Sequence, residues 1–199
     1  MKTNSAFKNN SRLQTNGFTL IEMIGVLAVI AILAALLIPK VTSAISDARV
    51  NSTVGSYQTM QAAAAGHYSK YNAYNLSTNS IALGAAQLAN FDTGALLPEG
   101  FIDQPFAVKS GTSAVIQVVA GAGNGTAGYK LDGTSVGTGA NSYTVECVIS
   151  NVAAQDAFDI AARIDGPLAV ANVEGSSIAG GKVVWNATTG TMNMYVAGH

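Results

Sequence analysis

The chain has 199 residues and a formal net charge of −1, and charged residues make up 11% of it, against roughly 25% in an average soluble domain. That length allows one domain of ordinary size with additional segments. Binding to nucleic-acid phosphates requires clusters of lysine and arginine, and the sequence has none, so the composition argues against a nucleic-acid partner. The only cysteine, Cys147, excludes an internal disulfide framework.

An apolar segment long enough to span a membrane follows a basic start. Residues 1–17 contain three cations and no acidic residue, and residues 18–38 contain one charged residue, Glu22. As a helix, residues 18–38 would be about 31 Å long at ~1.5 Å per residue, which matches the core of a bilayer. Because the cations precede this segment, we expect residues 1–17 to stay in the cytoplasm and the rest of the chain to cross the membrane.

Glu22 is the residue that distinguishes the possible roles of this apolar segment. A secretory signal would have a shorter apolar run and a small-residue cleavage pattern, and a plain membrane anchor leaves the carboxylate unexplained. A charge inside an apolar span costs roughly 2.5–3.5 kcal/mol, so Glu22 should have a partner. Cleavage after Gly17 would place a new α-amino group on Phe18, one helical turn away. That amine could neutralise its own Glu22 or the Glu22 of a neighbouring copy, which would set the axial register between copies.

Residues 17–22 read GFTLIE, and an apolar run follows as far as Pro39. This pattern resembles the processing site and membrane anchor of type IV pilins and of type II secretion pseudopilins. The resemblance implies that a membrane aspartyl peptidase cuts after Gly17 on the cytoplasmic side and methylates the new N-terminus at Phe18. It also implies that Glu22 is the carboxylate used in assembly.

The same resemblance implies partners and a location. The expected partners are a prepilin peptidase and methyltransferase, an assembly platform in the inner membrane, and other copies of the chain in a helical filament. We expect a single-pass precursor in a bacterial inner membrane, which then becomes part of an extracellular filament or a periplasmic pseudopilus.

The helical pattern continues beyond the membrane span. Apolar residues recur at gaps of mostly three or four as far as Tyr71, which predicts an amphipathic helix. Pro39 lies inside this pattern and is compatible with a helix end at the membrane surface or with a kink, and the resemblance favours the kink. We therefore divide the chain into a cleaved leader (1–17), a transmembrane and assembly half of a stalk helix (18–39), an amphipathic half (40–71) and a globular head (72–199).

The head has the pattern of an antiparallel sheet with short helices. The strict alternation of residues 142–149 predicts a strand with Cys147 buried among its apolar side chains. Helices are predicted at 81–89, capped by Ser80, and at 153–164. The other expected strands are 114–120, 128–132, and a hairpin of 181–186 and 191–197. The predicted fold class is α+β and pilin-like, a long N-terminal helix packed on a C-terminal antiparallel β-sheet domain.

The residues that could form a metal, phosphate or catalytic site are each explained more simply by an ordinary structural role. A calcium site would need six to eight oxygen ligands, and the aspartates of residues 132–165 are expected to lie mostly on a solvated helix face, with Asp159 paired to Arg163. The glycine-rich residues 121–128 lack the lysine of a phosphate-binding loop. His67 and His199 form no recognisable catalytic arrangement, and Trp185 is expected to be packed in a strand. We therefore predict no enzyme activity, no cofactor and no metal.

Three functional hypotheses follow. The first is a structural subunit of a type IV pilus or pilus-like filament, processed after Gly17 and polymerised through its N-terminal helix. The second is a pseudopilin of a type II secretion system. The third is a membrane-tethered binding domain that never polymerises. Replacing Glu22 by valine should be harmless in the third case and should prevent assembly in the first.

Overall fold

The computed structural model describes residues 17–121, 129–131, 134–135, 142–166 and 177–198, and the chain divides into two compact units, Met1–Ser43 and Ala44–His199. The helices are α1 (Leu20–Tyr71), α2 (Ala85–Ala89) and α3 (Ala154–Ile164), with a 3-10 turn at Thr78–Ser80 and a π turn at Asp92–Leu96. The strands are β1 (Ser113–Ala120), β2 (Lys130–Leu131), β3 (Thr134–Ser135), β4 (Tyr143–Ser150), β5 (Ile178–Ala179), β6 (Val183–Asn186) and β7 (Thr191–Gly198).

Five of the strands form one antiparallel sheet in the order β1-β4-β7-β6-β5, and β2 pairs with β3 separately. Cys147 lies opposite Ile116 of β1 and Met194 of β7, in the middle of the sheet. β6 and β7 form a hairpin in which Trp185 lies opposite Met192. Because side chains alternate between the faces of a strand, these pairings gather the large apolar residues on one face.

The part of α1 within the second unit covers that face. Its buried residues recur three or four positions apart, as a helix with one buried face requires. The Tyr57 hydroxyl donates a hydrogen bond to the backbone carbonyl of Tyr195, which joins this part of the helix directly to β7. The helix and the sheet therefore share one core, whose fully buried members include Val50, Ala64, Ile116, Val145, Cys147, Ile149, Met192 and Met194.

α3 packs against the same unit through an apolar face and a polar contact. Ala157 and Phe158 are buried, and the ring of Phe158 meets the edge of Trp185 at a centroid distance of 6.0 Å. At the start of α3 the Ser46 hydroxyl donates to Asp156 at 2.7 Å. This bond connects α3 to α1.

Most of the predicted architecture is confirmed. The chain has the α+β, pilin-like arrangement of a long N-terminal helix packed on a C-terminal antiparallel sheet. The predicted strands at 114–120 and 142–149, the helix at 153–164 and the hairpin all occur within one or two residues of their expected bounds. Cys147 and Trp185 are buried as expected.

The predicted helix at 81–89 is wrong over its first half. Ser80 does not cap it, because Ser80 adopts a left-handed conformation with φ of 57° and ends the 3-10 turn. The helix begins only after Gly84, whose N–H donates to the Gln87 side chain at 3.0 Å. The predicted strand at 128–132 is described only in part, as β2, and residues 122–128 lie outside the described ranges.

Candidate functional site

Thr19 directly precedes α1, and Glu22 lies in the first turn of the helix. The Thr19 hydroxyl accepts the backbone N–H of Glu22 at 3.3 Å. In return, Glu22 Oε2 accepts the backbone N–H of Thr19 at 2.8 Å and its hydroxyl at 2.7 Å. This reciprocal arrangement is a capping box, which satisfies N–H groups that the start of a helix would otherwise leave unpaired. Helical structure therefore begins at Leu20, two residues after Phe18.

The peptide bond between Gly17 and Phe18 lies outside the helix. Gly17 is exposed, the Phe18 side chain is 72% exposed, and neither residue has helical structure. A cleavable bond needs to be accessible in a non-helical conformation, and this bond meets both conditions.

Sequence reasoning predicted that Glu22 needs a partner but did not identify Thr19. The signal was present, because a threonine followed three residues later by glutamate is the pattern of a capping box. Both bonds from Thr19 end on Oε2 of Glu22. Within the described residues no hydrogen bond reaches Oε1, so one carboxylate oxygen is available for a further donor.

The helix surface beyond Glu22 is apolar on every side. From Phe18 to Ile38 every large apolar side chain is between 48% and 76% exposed. Monomeric soluble proteins rarely expose a continuous apolar surface of this kind. α1 is also long and apolar enough to cross a membrane. Residues 18–38 therefore have the properties of a segment that lipid or other helices must cover.

α1 continues through Pro39 without ending. Proline has no N–H to donate, so Ala35 loses the hydrogen bond that its carbonyl would normally accept. One turn later the Thr42 hydroxyl donates to the Pro39 carbonyl at 2.9 Å and the Ser43 hydroxyl donates to the same oxygen at 3.1 Å. These hydroxyls donate to a carbonyl one turn beyond the interrupted bond of Ala35, and such side-chain bonds often accompany helix bending.

The aspartates considered for calcium have protein partners instead. Asp156 is buried against Ser46, which makes the expectation of a solvated helix face wrong for this residue. Asp165 accepts two backbone N–H groups, and Asp159 is bonded to a neighbouring glutamine. In the described part of the chain, no three histidine, cysteine or acidic side chains are placed to hold a metal ion. Asp132 lies outside that part.

The expected pairing of Arg163 with Asp159 is also wrong. The Arg163 guanidinium donates to Asp47 at 3.1 Å and to Asn51, both on α1. These partners lie more than a hundred residues away in sequence, so only the packing of α3 beside α1 could create the contact.

Neither Cys147 nor His67 has the surroundings of a catalytic group. Burial raises the pKa of the Cys147 thiol well above its ordinary value, and nearby Asp92 and Glu146 raise it further, so the thiol stays protonated. His67 is fully buried, and neither of its ring nitrogens has a hydrogen-bond partner. His199 lies outside the described residues.

The second unit has an open cleft of about 450 Å³ between α1 and residues 101–107. Phe101, Ile102 and Phe106 form much of its apolar lining, and Asp103 and Thr59 contribute polar groups. The size falls within the range of small-ligand sites, which usually combine apolar walls with a few polar groups.

Residues 12–38 match a family model described as the prokaryotic N-terminal methylation motif, which is the signature of type IV pilins and pseudopilins. The match includes Gly17, Phe18 and Glu22 and ends before Pro39. It indicates a structural, membrane-anchored precursor that a prepilin peptidase processes for pilin-type assembly. No curated protein matches the chain, and no solved structure does.

Proposed function

We propose, from the methylation motif at residues 12–38, that the chain is a structural subunit of a type IV pilus or pilus-like filament. The peptidase cuts between Gly17 and Phe18, Phe18 is methylated, and the subunits polymerise through α1. The observation that carries the proposal is the placement of Glu22 in the first turn of an otherwise apolar helix, directly behind an exposed, non-helical Gly17–Phe18 bond.

Cleavage changes the electrostatics of the helix start. The N-terminus of a helix already has a partial positive charge, so a new α-amino group on Phe18 is unfavourable there by itself. Glu22 offsets both charges, and its Oε1 can receive the amine while Oε2 keeps the bonds from Thr19. Methylation of the amine leaves its positive charge in place, so this pairing survives the modification.

The same charges give the filament an axial register. Apolar helix surfaces can slide along each other with little change in energy, because packing and lipid contacts are similar at many positions. A carboxylate and an amine in a medium of low dielectric constant must pair to avoid a large desolvation cost. The amine of one copy next to Glu22 of its neighbour therefore selects a single axial offset.

Pro39 is proposed as the site of a kink. Interruption of the backbone ladder there lowers the cost of bending, and the hydroxyls of Thr42 and Ser43 support the Pro39 carbonyl. A kink lets the two parts of α1 follow different packing directions in an assembly.

The test is Glu22→Val, with Ile21→Val as a control that changes the neighbouring residue without removing a charge. Intact mass of the protein in cell envelopes and in sheared surface material is measured for the wild type and both variants. We expect the wild type and the control to begin at a methylated Phe18 in both fractions. Glu22→Val should insert in the membrane and be missing from the sheared fraction, because the register-setting pair is lost.

The two other hypotheses give different results in the same experiment. A pseudopilin would be processed at Phe18 yet remain in the envelope fraction even in the wild type. A tethered binding domain is favoured by the cleft beside residues 101–107, and it would tolerate Glu22→Val without change. A chain that keeps residues 1–17, or is cut elsewhere, would contradict the filament proposal.

A further inference from the structure

His67 is enclosed by aromatic rings near the end of α1. It is fully buried, and its ring lies 4.8 Å from that of Tyr71, 5.0 Å from Phe91 and 5.6 Å from Phe101, measured between centroids. We call His67 and these three rings the histidine cage. The cage joins α1 to residues 91–101, which include the π turn.

Two charged side chains, Glu99 and Lys70, lie next to the histidine cage. Glu99 Oε2 lies 3.8 Å from His67 Nε2, which is longer than a hydrogen bond, and its side chain is 12% exposed. The Lys70 ammonium lies over the rings of Tyr71 and Phe101, at 4.9 and 5.4 Å from their centroids. The ring edges and one carboxylate thus surround an imidazole that makes no hydrogen bond of ordinary length and angle among the described residues, with the backbone carbonyls of Ala73 and Leu76 nearby.

The balance of these groups favours the neutral imidazole. Burial lowers the pKa of His67, and Lys70 lowers it further. Glu99 and the backbone carbonyls of Ala73 and Leu76 act in the opposite direction and raise the pKa, but burial is the largest of these effects. The folded protein therefore resists a proton that an unfolded histidine would take up at about pH 6.5.

We propose that the histidine cage is an acid-sensitive latch between the end of α1 and residues 91–101. The latch is closed while the imidazole is neutral, and acid opens it because a charged imidazole at this fully buried position loses its water and gains no close hydrogen-bond acceptor. Opening exposes Phe91 and Phe101 and frees the segment that lines the cleft. The latch is a property of the second unit and does not depend on polymerisation, so it can fail or succeed independently of the filament proposal.

The sign of the effect follows from the lowered pKa. Stability from the neutral histidine is complete above about pH 6.5 and is lost as the pH falls below that value towards the pKa in the folded state. A single titrating group changes the unfolding equilibrium by at most about tenfold per pH unit. Glu99 reduces the loss of stability in acid, because its carboxylate favours the protonated form of His67.

The test uses the full chain in detergent micelles between about pH 7.5 and about pH 5.5. The fluorescence of Trp185, the chain's single tryptophan, follows unfolding in urea, and hydrogen exchange of residues 67–71 and 91–101 reports local opening. Relative to His67→Phe, the wild type should lose stability as the pH falls, by up to about tenfold in the unfolding equilibrium per pH unit. His199→Gln, which alters the other histidine, should behave as the wild type.

Two further results decide the proposal. Glu99→Gln should keep the acid loss of stability or make it larger, because the group that favours protonation is gone. If this variant folds and loses less stability in acid than the wild type, the latch is overturned, even where His67→Phe fails to fold. Equal pH profiles for the wild type and His67→Phe overturn it, and so does an acid stabilisation of the wild type, which would mean that an imidazolium–Glu99 pair holds the segment closed.

Discussion

Asp165, directly after α3, connects that helix to the turn before β6. Its Oδ1 accepts the backbone N–H of Lys182 at 2.9 Å, and its Oδ2 accepts the N–H of Val183 at 2.9 Å. Gly181 completes the contact, because its φ is 83° and a Cβ there would lie 2.5 Å from the Asp165 carboxylate. We predict that Asp165→Ala destabilises the protein strongly although no buried apolar group is lost.

The magnitude follows from the two bonds. A hydrogen bond to a charged group contributes about 1.5–3 kcal/mol, and the partly exposed position of Asp165 places its bonds at the lower end, near 3 kcal/mol together. A carboxylate at the C-terminal end of a helix is disfavoured by about 0.5 kcal/mol, which reduces the net effect of Asp165. We therefore expect a loss of about 2–3 kcal/mol, or a fall of roughly 4–12 °C in Tm for a domain of this size.

Urea unfolding of the full chain in micelles, followed by Trp185 fluorescence, measures this loss. Asp159→Ala is the matched control, because Asp159 lies on the same helix and its single hydrogen bond within the described ranges is to Gln155, at 3.3 Å. The control should stay within about 0.5 kcal/mol of the wild type. If Asp165→Ala also stays within that range, strand pairing alone holds β6 and the reasoning from the carboxylate bonds is refuted.

Two further predictions concern buried groups. The Cys147 thiol should not react with a maleimide in the folded protein and should react after unfolding. Burial both blocks access to the thiol and raises its pKa. Rapid labelling of the native protein would contradict this prediction. The stability contributed by the neutral Tyr74 should be complete below about pH 10 and fall as the pH rises towards 12, because burial raises the pKa of Tyr74 to about 12 while an unfolded tyrosine ionises at about 10. Urea midpoints in this range should fall less steeply for Tyr74→Phe, and equal slopes would count against the assignment.

The head shows which features local patterns can predict. The alternating sequence pattern was sufficient to predict the strand β4 and the burial of Cys147. Burial alternates in β7, but β4 is buried on both faces from Thr144 to Cys147, which the sequence pattern did not predict. The helix at 81–89 was predicted too long. Its first residues form a turn and a bridge between Leu76 and Ala82, which depends on backbone conformations at Asn79 and Ser80 that local propensity does not specify.

The polar contacts of the head were not predictable. Ser46 and Asp156 are 110 positions apart, and Asp47 and Arg163 are 116 apart. An aspartate on a helix pattern looks like a solvated residue until another element covers it. The same holds for the rings around His67, which come from α1 and from residues more than twenty positions later.

The sequence by itself determined the N-terminal part of this protein. A glycine and a phenylalanine precede an apolar run that has a glutamate in its first turn, and this pattern can be recognised from consecutive residues alone. The capping pair of Thr19 and Glu22 is equally local. Only the tertiary structure decided the order of the strands, the partners of the buried carboxylates and the enclosure of His67. These depend on which distant segments meet, and that is set by the packing of the whole core and not by the pattern of any one segment.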